Sequence, residues 1–439
     1  MDLRFKDRLP KERAENALPD AKPPYSLDQA VAEAQRCVYC YDAPCIKACP
    51  TAIDIPTFIK KIASGNVNGS AKVIFTQNML GSSCARVCPV EVLCVGKCVY
   101  NDWRRPPIQI GKLQRFATDT ALANEARTGK KLFTPKAKRG KRVALIGAGP
   151  ASLACAAHLT LEGVDAVIYE RNALPGGLNT TGVAPYKLHA HDSLDEVAWL
   201  LSWGTDLRTG VSVGKDVRGA DLLKEFDAVF VGVGLGTDSL LSIPGANGPG
   251  VEGATVWIER MKNSPDFSLA GVRRALVVGG GNTAIDVARE LAQLGVSDVA
   301  MVYRRGAADM SGYHHEMDHA RQEGVRFIEN TRPVEVLRAD GKVTALRVND
   351  NRDGTDTRDL PCDLIVLAIG QSKLRELATE FPGVALDDAG RVVVDQTTRV
   401  TGNAKVYAGG DCINGGAEVV NAAADGRDAA RAMLRAWGF

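Results

Sequence analysis

The residues best suited to chemistry in this chain are its cysteines. Eleven occur among 439 residues, and eight of them fall between Cys37 and Cys98. The first group reads Cys37-x2-Cys40-x4-Cys45-x3-Cys49-Pro50 and the second Cys84-x3-Cys88-Pro89-x4-Cys94-x3-Cys98. Soft thiolates at this density ligate metals or iron–sulfur clusters. A closing cysteine followed by proline is the spacing in which that thiolate serves a neighbouring cluster, so two clusters with interlocking ligands are expected. Zinc is the alternative, but its paired C-x2-C spacing is missing from the second group and no histidine lies between Cys37 and Cys98. Disulfides suit small secreted domains, whereas a chain this long has ample core without them.

Two glycine turns carry a second chemistry. The first follows the apolar run Val143–Ile146 and reads Gly147-Ala148-Gly149-Pro150-Ala151-Ser152, then a helical pattern through Leu161 and a second apolar run ending at Glu170. Such glycines let the backbone approach a pyrophosphate, the helix start offers free N–H groups, and the distal carboxylate accepts hydrogen bonds from a ribose. Ser152 replaces the usual third glycine or alanine and is still small. The second turn, Gly279-Gly280-Gly281-Asn282-Thr283-Ala284, follows Ala275–Val278, and its next strand ends in Tyr303-Arg304-Arg305. With no carboxylate there, a guanidinium can take the 2′-phosphate of NADPH, so NADPH is favoured and NADH is the alternative. The bland reading is a solvated arginine pair. The economical assignment is a flavin in the first turn and a nicotinamide in the second, because a flavin converts a hydride into the single electrons that clusters accept. No side-chain nucleophile is required. His314, His315 and His319 read as a polar helix face, Cys155 as a small core residue, and no C-x-x-C follows Cys49 to form a redox dithiol.

These groups need elements to position them. Helical spacing of Leu27, Ala30, Val31 and Ala34, and of Ile59, Ile62 and Ala63, predicts an α-helical cysteine region. Lys130 to Arg142 reads as an exposed basic linker, with a docking strip as the alternative. The two glycine turns lie in duplicated strand–turn–helix–strand units, and strand-like runs after the second end in Val406-Tyr407-Ala408-Gly409-Gly410-Asp411. The expected fold class is therefore α/β: two Rossmann-like dinucleotide-binding domains, the second inserted in the first, preceded by an α-helical iron–sulfur domain. The expected bounds are 1–135 for the cluster domain, 141–270 and 373–439 for the first nucleotide domain, and 271–372 for the second. Lys plus Arg is 54 and Asp plus Glu is 52, giving +2, which argues against nucleic acid as a partner. No apolar run approaches the roughly 20 residues that span a bilayer, and Met1 to Pro10 has no apolar signal core, so a cytoplasmic protein with no membrane partner is expected.

The segment from Cys37 to Asp119 resembles the electron-input half of dihydropyrimidine dehydrogenase, and more loosely the small subunit of glutamate synthase. The likeness rests on Asp42-Ala-Pro-Cys45, Ala48-Cys-Pro-Thr51, Val87-Cys-Pro89, Leu93-Cys-Val-Gly96 and Ile110-Gly-x-Leu-Gln114-x-Phe-Ala-Thr118. It implies two 4Fe-4S clusters, one held by Cys37, Cys40, Cys45 and Cys98, the other by Cys49, Cys88, Cys94 and the neutral amide of Gln114. Cys84, one helical turn before Cys88, competes for that last place. The resemblance assigns FAD to the first turn, with Gly176, Gly177 and Leu178 near the flavin and Gly410 and Asp411 near its ribityl or pyrophosphate part, where a following helix start would hold an anion. Lys187 falls where the family commonly has an arginine beside the flavin. For the nicotinamide, Gly281, Asn282, Thr283, Arg304 and Arg305 carry over. No room remains after Asp411 for the FMN barrel that reduces pyrimidines. The resemblance therefore implies a separate FMN-containing partner, in a hetero-oligomer, that reduces uracil or thymine at carbons 5 and 6. Two alternatives stand beside it: a glutamate synthase small subunit, feeding a large amidotransferase, and a non-catalytic zinc-binding scaffold.

Overall fold

A computed structural model describes residues 3–352, 354, 356–373 and 375–439. The cysteine region is helical, as its periodicity predicts, and polar caps start its helices. Ser26 and Gln29 form a capping box on Leu27–Gln35, Asp54 caps Ile55–Ala63, and Asn66 caps Val67–Gln77. Gly81–Val87 and the long Ile110–Thr128 complete the set, the latter ended by left-handed Gly129. Phe58, Ile59, Ile62, Ile74 and Leu113 form its core, all essentially sealed from solvent.

Two five-stranded parallel sheets follow. The first has the order Val406–Ala408, Ala228–Val231, Arg142–Ile146, Asp165–Glu170, Asp206–Thr209. The second has the order Val251–Gly253, Leu364–Leu367, Arg274–Val278, Asp298–Val302, Arg326–Ile328. Their central strands are buried along nearly their whole length, which is why they read as continuous apolar runs rather than alternating ones. A three-stranded antiparallel sheet, Thr331–Ala339, Lys342–Asp350 and Thr357–Pro361, lies within the inserted part. Val406–Ala408 pairs with Ala228–Val231 across the whole insertion, so the first unit is discontinuous.

The crossing between the units falls earlier than the expected residue 270. Val251–Gly253 pairs with Leu364–Leu367, and Trp257, Ile258 and Met261 of the helix Ala254–Asn263 join the second unit's core. The N-terminal segment does not stay with the helical region either. Phe5 and Leu9 enter the core of the first unit, Leu18 that of the second, and buried Glu15 accepts the Ala190 backbone N–H at 3.1 Å. The Lys130–Arg142 stretch keeps most of its cations in solvent, but its backbone is fastened: the N–H groups of Lys136 and Arg139 donate to Leu161 and Gly163 carbonyls.

Candidate functional site

At the first turn, Gly147 has φ +84° and its N–H donates to the Tyr169 carbonyl at 2.8 Å, bending the chain off the strand. A Cβ at Gly147 would meet the Gly232 carbonyl oxygen at 2.8 Å, so only glycine fits. Gly149 precedes the helix Pro150–Leu161, whose Pro150 starts the first turn with no N–H to strand. Ala151 and Ser152 are buried, and Ser152 fits because Gly232 opposite it has no side chain. Glu170 is 6 % exposed; one carboxylate oxygen accepts the Ala148 N–H and the other the Asn172 N–H, both at 2.7 Å. That leaves a lone pair on each oxygen for a diol. Gly176 and Gly177 fold over the turn: the Gly176 N–H donates to the Ala148 carbonyl, and a Cβ on Gly177 would lie 2.9 Å from Gly149 Cα. Leu178 follows with its side chain partly in solvent at the mouth of this cradle.

From the far end of the chain, Gly410 (φ +78°) packs its backbone beside Ala151 and donates its N–H to Asp425 at 2.9 Å. Asp411 accepts the Ala417 N–H at 3.0 Å, and burial raises its carboxyl above the usual range. The anion-holding helix start expected beyond it already has an acid: Glu418 caps Val419–Ala436 in a box with Asn421.

The second turn repeats the first. The Gly279 N–H donates to the Val302 carbonyl at 3.0 Å, and a Cβ there would meet the Ala368 carbonyl oxygen at 2.3 Å. Gly281 caps the helix Asn282–Gln293 and Thr283 is exposed. Asn282 does not face outward freely, since its side-chain oxygen accepts the Tyr313 N–H at 2.9 Å. With the Gly312 N–H on the Gly280 carbonyl, this fastens the loop between Gly306 and Tyr313 beside the turn. Arg305 donates to the Tyr303 hydroxyl at 3.0 Å, whereas exposed Arg304 has no side-chain partner among the described residues.

The cysteines separate into two neighbourhoods. Cys37, Cys40, Cys45 and Cys98 line one pocket with Val38 and Tyr100. Burial pushes the Cys45 thiol up to about 12, helped by the nearby Cys37, Cys98 and Cys40 thiolates. Cys94 faces Cys88 and Cys49, and burial holds its thiol well above the ordinary value. Thiols so placed ionise only against a cationic centre, which is what an iron–sulfur cluster provides. Tetrahedral zinc needs its sulfurs about 3.8 Å apart for Zn–S bonds of ≈ 2.3 Å. Among the described residues, the one three-ligand group within 4.8 Å is His189, His191 and Asp192, with Arg86 against Asp192 at 3.7 Å. No three cysteine sulfurs among the described residues lie within 4.8 Å of one another. Gln114 is buried, its amide nitrogen donating to the Gly81 carbonyl at 2.8 Å, so its oxygen is the atom left for a metal. Cys84, also buried, lies beside Cys88 and raises its thiol above the ordinary value.

Residues 141–426 match the family model described as pyridine nucleotide-disulphide oxidoreductase, and residues 13–126 match that of dihydropyrimidine dehydrogenase domain II, 4Fe-4S cluster. The chain belongs to the pyridine nucleotide-disulphide oxidoreductase family. The NAD-dependent dihydropyrimidine dehydrogenase subunit PreT of Escherichia coli K12 is 34% identical over 420 residues, 95% of this chain and 97% of that one. The glutamate synthase [NADPH] small chain of Halomonas elongata is 33% identical over 435 residues, 94% and 91% respectively. Among solved structures, the thioredoxin reductase of T. acidophilum superposes with a TM-score of 0.58 at 20% identity, covering 68% of this chain and 98% of that one, a likeness of fold. The protein is therefore an FAD-dependent NAD(P)H oxidoreductase with an iron–sulfur domain. None of its described helices is long and apolar enough to cross a membrane.

Cys155, Cys362 and Cys412 are each buried, in three separate cores, so no dithiol stands near the nucleotide turns. Lys187 is bound to charges of the second unit. Its ammonium, placed beside the flavin by resemblance, is held by Asp286 at 2.8 Å and Glu316 at 3.0 Å, both in the second unit, and these carboxylates outweigh burial and raise its pKa. Arg289 bonds the other Glu316 oxygen and Glu323, so Lys187 is one end of a charge clasp between the units. His315 lies 3.5 Å from Glu91 of the cysteine region, and the three histidines of His314–Gln322 form no metal group. Sequence reasoning missed Gly232, although the run Val231-Gly-Val-Gly234 after a buried strand was available as a signal. Nothing local foretold the partners of Lys187, which lie about a hundred residues away.

Proposed function

We propose that this chain is the electron-input subunit of a dihydropyrimidine dehydrogenase, oxidising NAD(P)H and delivering electrons to an FMN-containing partner that reduces uracil or thymine to the 5,6-dihydro form. The observation that carries the outlet is the sulfur distribution: two dinucleotide turns have no dithiol beside them, while eight cysteines wait in the adjoining helical region. FAD and iron–sulfur clusters, when bound, supply the conversion of one hydride into two single electrons.

The residues present fit these groups. Gly149, with no atom closer than 3.9 Å to its missing Cβ, leaves the cradle of the first turn open, and Glu170 offers its remaining lone pairs to the adenosine ribose. Arg304 takes the 2′-phosphate of NADPH, Arg305 stands behind it on Tyr303, and Asn282 positions the loop rather than the nucleotide. Cys37, Cys40, Cys45 and Cys98 hold one 4Fe-4S cluster. Cys49, Cys88, Cys94 and Gln114 hold a second, with Cys84 lying beside Cys88 and so tuning that cluster rather than ligating it.

The test is anaerobic. Purified protein should contain one FAD and eight iron atoms, as expected of two 4Fe-4S clusters, bleach with NADPH, and support NADPH-dependent uracil reduction once the FMN-containing subunit is added. Similarity to glutamate synthase small chains at equal identity favours a second reading, in which the partner is the large amidotransferase chain. Reconstitution with each partner in turn separates them, and protein that carries no flavin sinks both.

A further inference from the structure

The segment from Gly177 to Leu188, which leads away from the first cradle, is held in place by the other nucleotide unit. Tyr186 and Lys187 both donate to one carboxylate oxygen of Asp286, and the Arg289 guanidinium lies 4.2 Å from the centre of the Tyr186 ring. Those contacts run outward, from the segment to the helix Asn282–Gln293.

One contact runs inward. Lys262 sits on the second unit's helix Ala254–Asn263 and has no exposed surface. Its ammonium reaches back into the segment and donates to the carbonyls of Val183 at 2.8 Å, Leu188 at 2.9 Å and Asn179 at 3.3 Å. Three donors thus meet three acceptors, and among the described residues the ammonium bonds nothing else. Asn179 belongs to the short helix Leu178–Thr181, Val183 lies just past its end, and Leu188 closes the segment, so one atom gathers its two ends and its middle.

A buried ammonium is costly unless acids compensate it, and here they do so poorly. The charges that face it are Glu15 and Arg13 of the N-terminal segment, Asp192 of the helix Ala190–Leu201 and Glu290 of Asn282–Gln293. Glu15 is already engaged by Arg13 at 3.1 Å. Glu290 is sealed with neither oxygen hydrogen-bonded, and burial and Asp286 raise its carboxyl well above the usual range, which weakens it as a counter-charge. Burial outweighs these acids and lowers Lys262 to about 8. Apolar packing could join the two units without that cost. What a buried donor adds is direction, because three carbonyls must point at one atom.

We propose that Lys262 is a positioning residue for flavin reduction: from the nucleotide unit it fixes the backbone of Asn179 to Leu188, and with it the alignment of the flavin to the incoming nicotinamide. The inference rests on the reading of the first turn as the flavin site, and adds the residue on the opposite unit that sets the alignment there. Lys262 lies on neither glycine turn, so its loss acts on the rate of hydride transfer rather than on nucleotide affinity. A misplacement of about 1 Å costs such a step on the order of 100-fold.

Stopped-flow reduction of the holoenzyme's flavin by NADPH tests this. Lys262→Met keeps most of the side chain and removes its donors. It should retain flavin and iron, lower the limiting rate of flavin reduction at least about tenfold, and leave the half-saturating NADPH concentration within about twofold of wild type. Above about pH 8 the wild-type ammonium becomes an amine with one donor fewer, so the wild-type rate should fall between about pH 7 and 9.5. Lys262→Arg keeps its charge throughout and should show no such fall. A Lys262→Met rate equal to that of wild type, or a raised half-saturating concentration at an unchanged limiting rate, overturns the positioning role. Loss of flavin from that variant also overturns it, because the lysine would then retain the cofactor rather than align it. Where neither variant folds, the wild-type profile decides, and a rate that stays flat across that range overturns the proposal. A wild type without flavin overturns the reading of the first turn itself.

Discussion

At the first glycine turn the following strand ends in a buried glutamate whose two oxygens are fixed by backbone N–H groups, and a second pair of glycines closes over the top. At the second, the equivalent strand is followed by exposed Arg304, which has no side-chain partner among the described residues, and the covering loop is tied at one side by Gly312 and Asn282. The backbones are otherwise alike: each opening glycine donates to the strand beside it and would collide with a carbonyl of the next strand if it carried a Cβ. One scaffold is thus given two different surroundings. An enclosed cradle with an acid suits a cofactor that stays, and an open one with an exposed cation suits a cosubstrate that must leave.

The largest expected effect comes from breaking one cradle at a time. Gly177→Val puts a branched side chain at φ +56° into Gly149 and should lower the flavin-to-protein ratio at least tenfold, measured by absorbance after denaturation, with iron content retained. Gly279→Val should do the reverse, keeping the flavin and abolishing its reduction by NADPH in stopped flow. If Gly279→Val loses flavin instead, the contrast between the turns collapses. Next, Arg304→Glu removes a charge-assisted bond worth about 1.5–3 kcal/mol, so kcat/KM for NADPH should fall roughly 10–150-fold while that for NADH changes little.

A smaller effect follows from Tyr313, whose hydroxyl donates to Glu418 at 2.8 Å and ties the second turn's loop to the helix of the first unit. Tyr313→Phe should raise KM for NADPH about fivefold with kcat nearly constant, since about 1 kcal/mol of loop fastening is lost. The smallest is a pH effect where the first unit meets the cysteine region. Glu196, on the helix Ala190–Leu201, accepts backbone bonds from Ser82 and Ser83, and burial raises its carboxyl to about 7. The folded chain then holds a proton that the unfolded one has released, so this contribution is full below about 4.5 and fades as pH rises through about 7. The melting temperature of the wild type should therefore drop relative to Glu196→Gln between pH 5 and roughly 8 and run parallel to it above.

Much of the fold was legible because its central strands show their burial as unbroken apolar runs, and two of them, Arg142–Ile146 and Arg274–Val278, are each followed by a glycine turn and a twelve-residue helix. Val251–Gly253 was not, since three residues carry no period and only pairing with Leu364–Leu367 defines them. Phe5 and Leu18 are single apolar residues in charged surroundings, and their place in two different cores is set by tertiary contact alone. The cysteine spacing suggested interlocking groups, but the split into neighbourhoods came from resemblance and is matched by the cavity that gathers Cys37, Cys40, Cys45 and Cys98. Lys187 illustrates the opposite limit: a position can be read from a motif while its side chain answers to charges on another unit.

The strand Val406–Ala408 and the helix Val419–Ala436 finish the first unit only after the second has been made. Gly426 allows that helix to press its backbone against Ala151, and Arg427 reaches on to carbonyls of Thr51 and Gln77 in the cysteine region. During synthesis the first glycine turn must wait half-built while the inserted unit emerges and folds, so flavin loading is a late event that also clamps the cysteine region in place. A chain cut between Arg305 and Val406 would keep both nucleotide motifs in its sequence and still be born without its yellow colour.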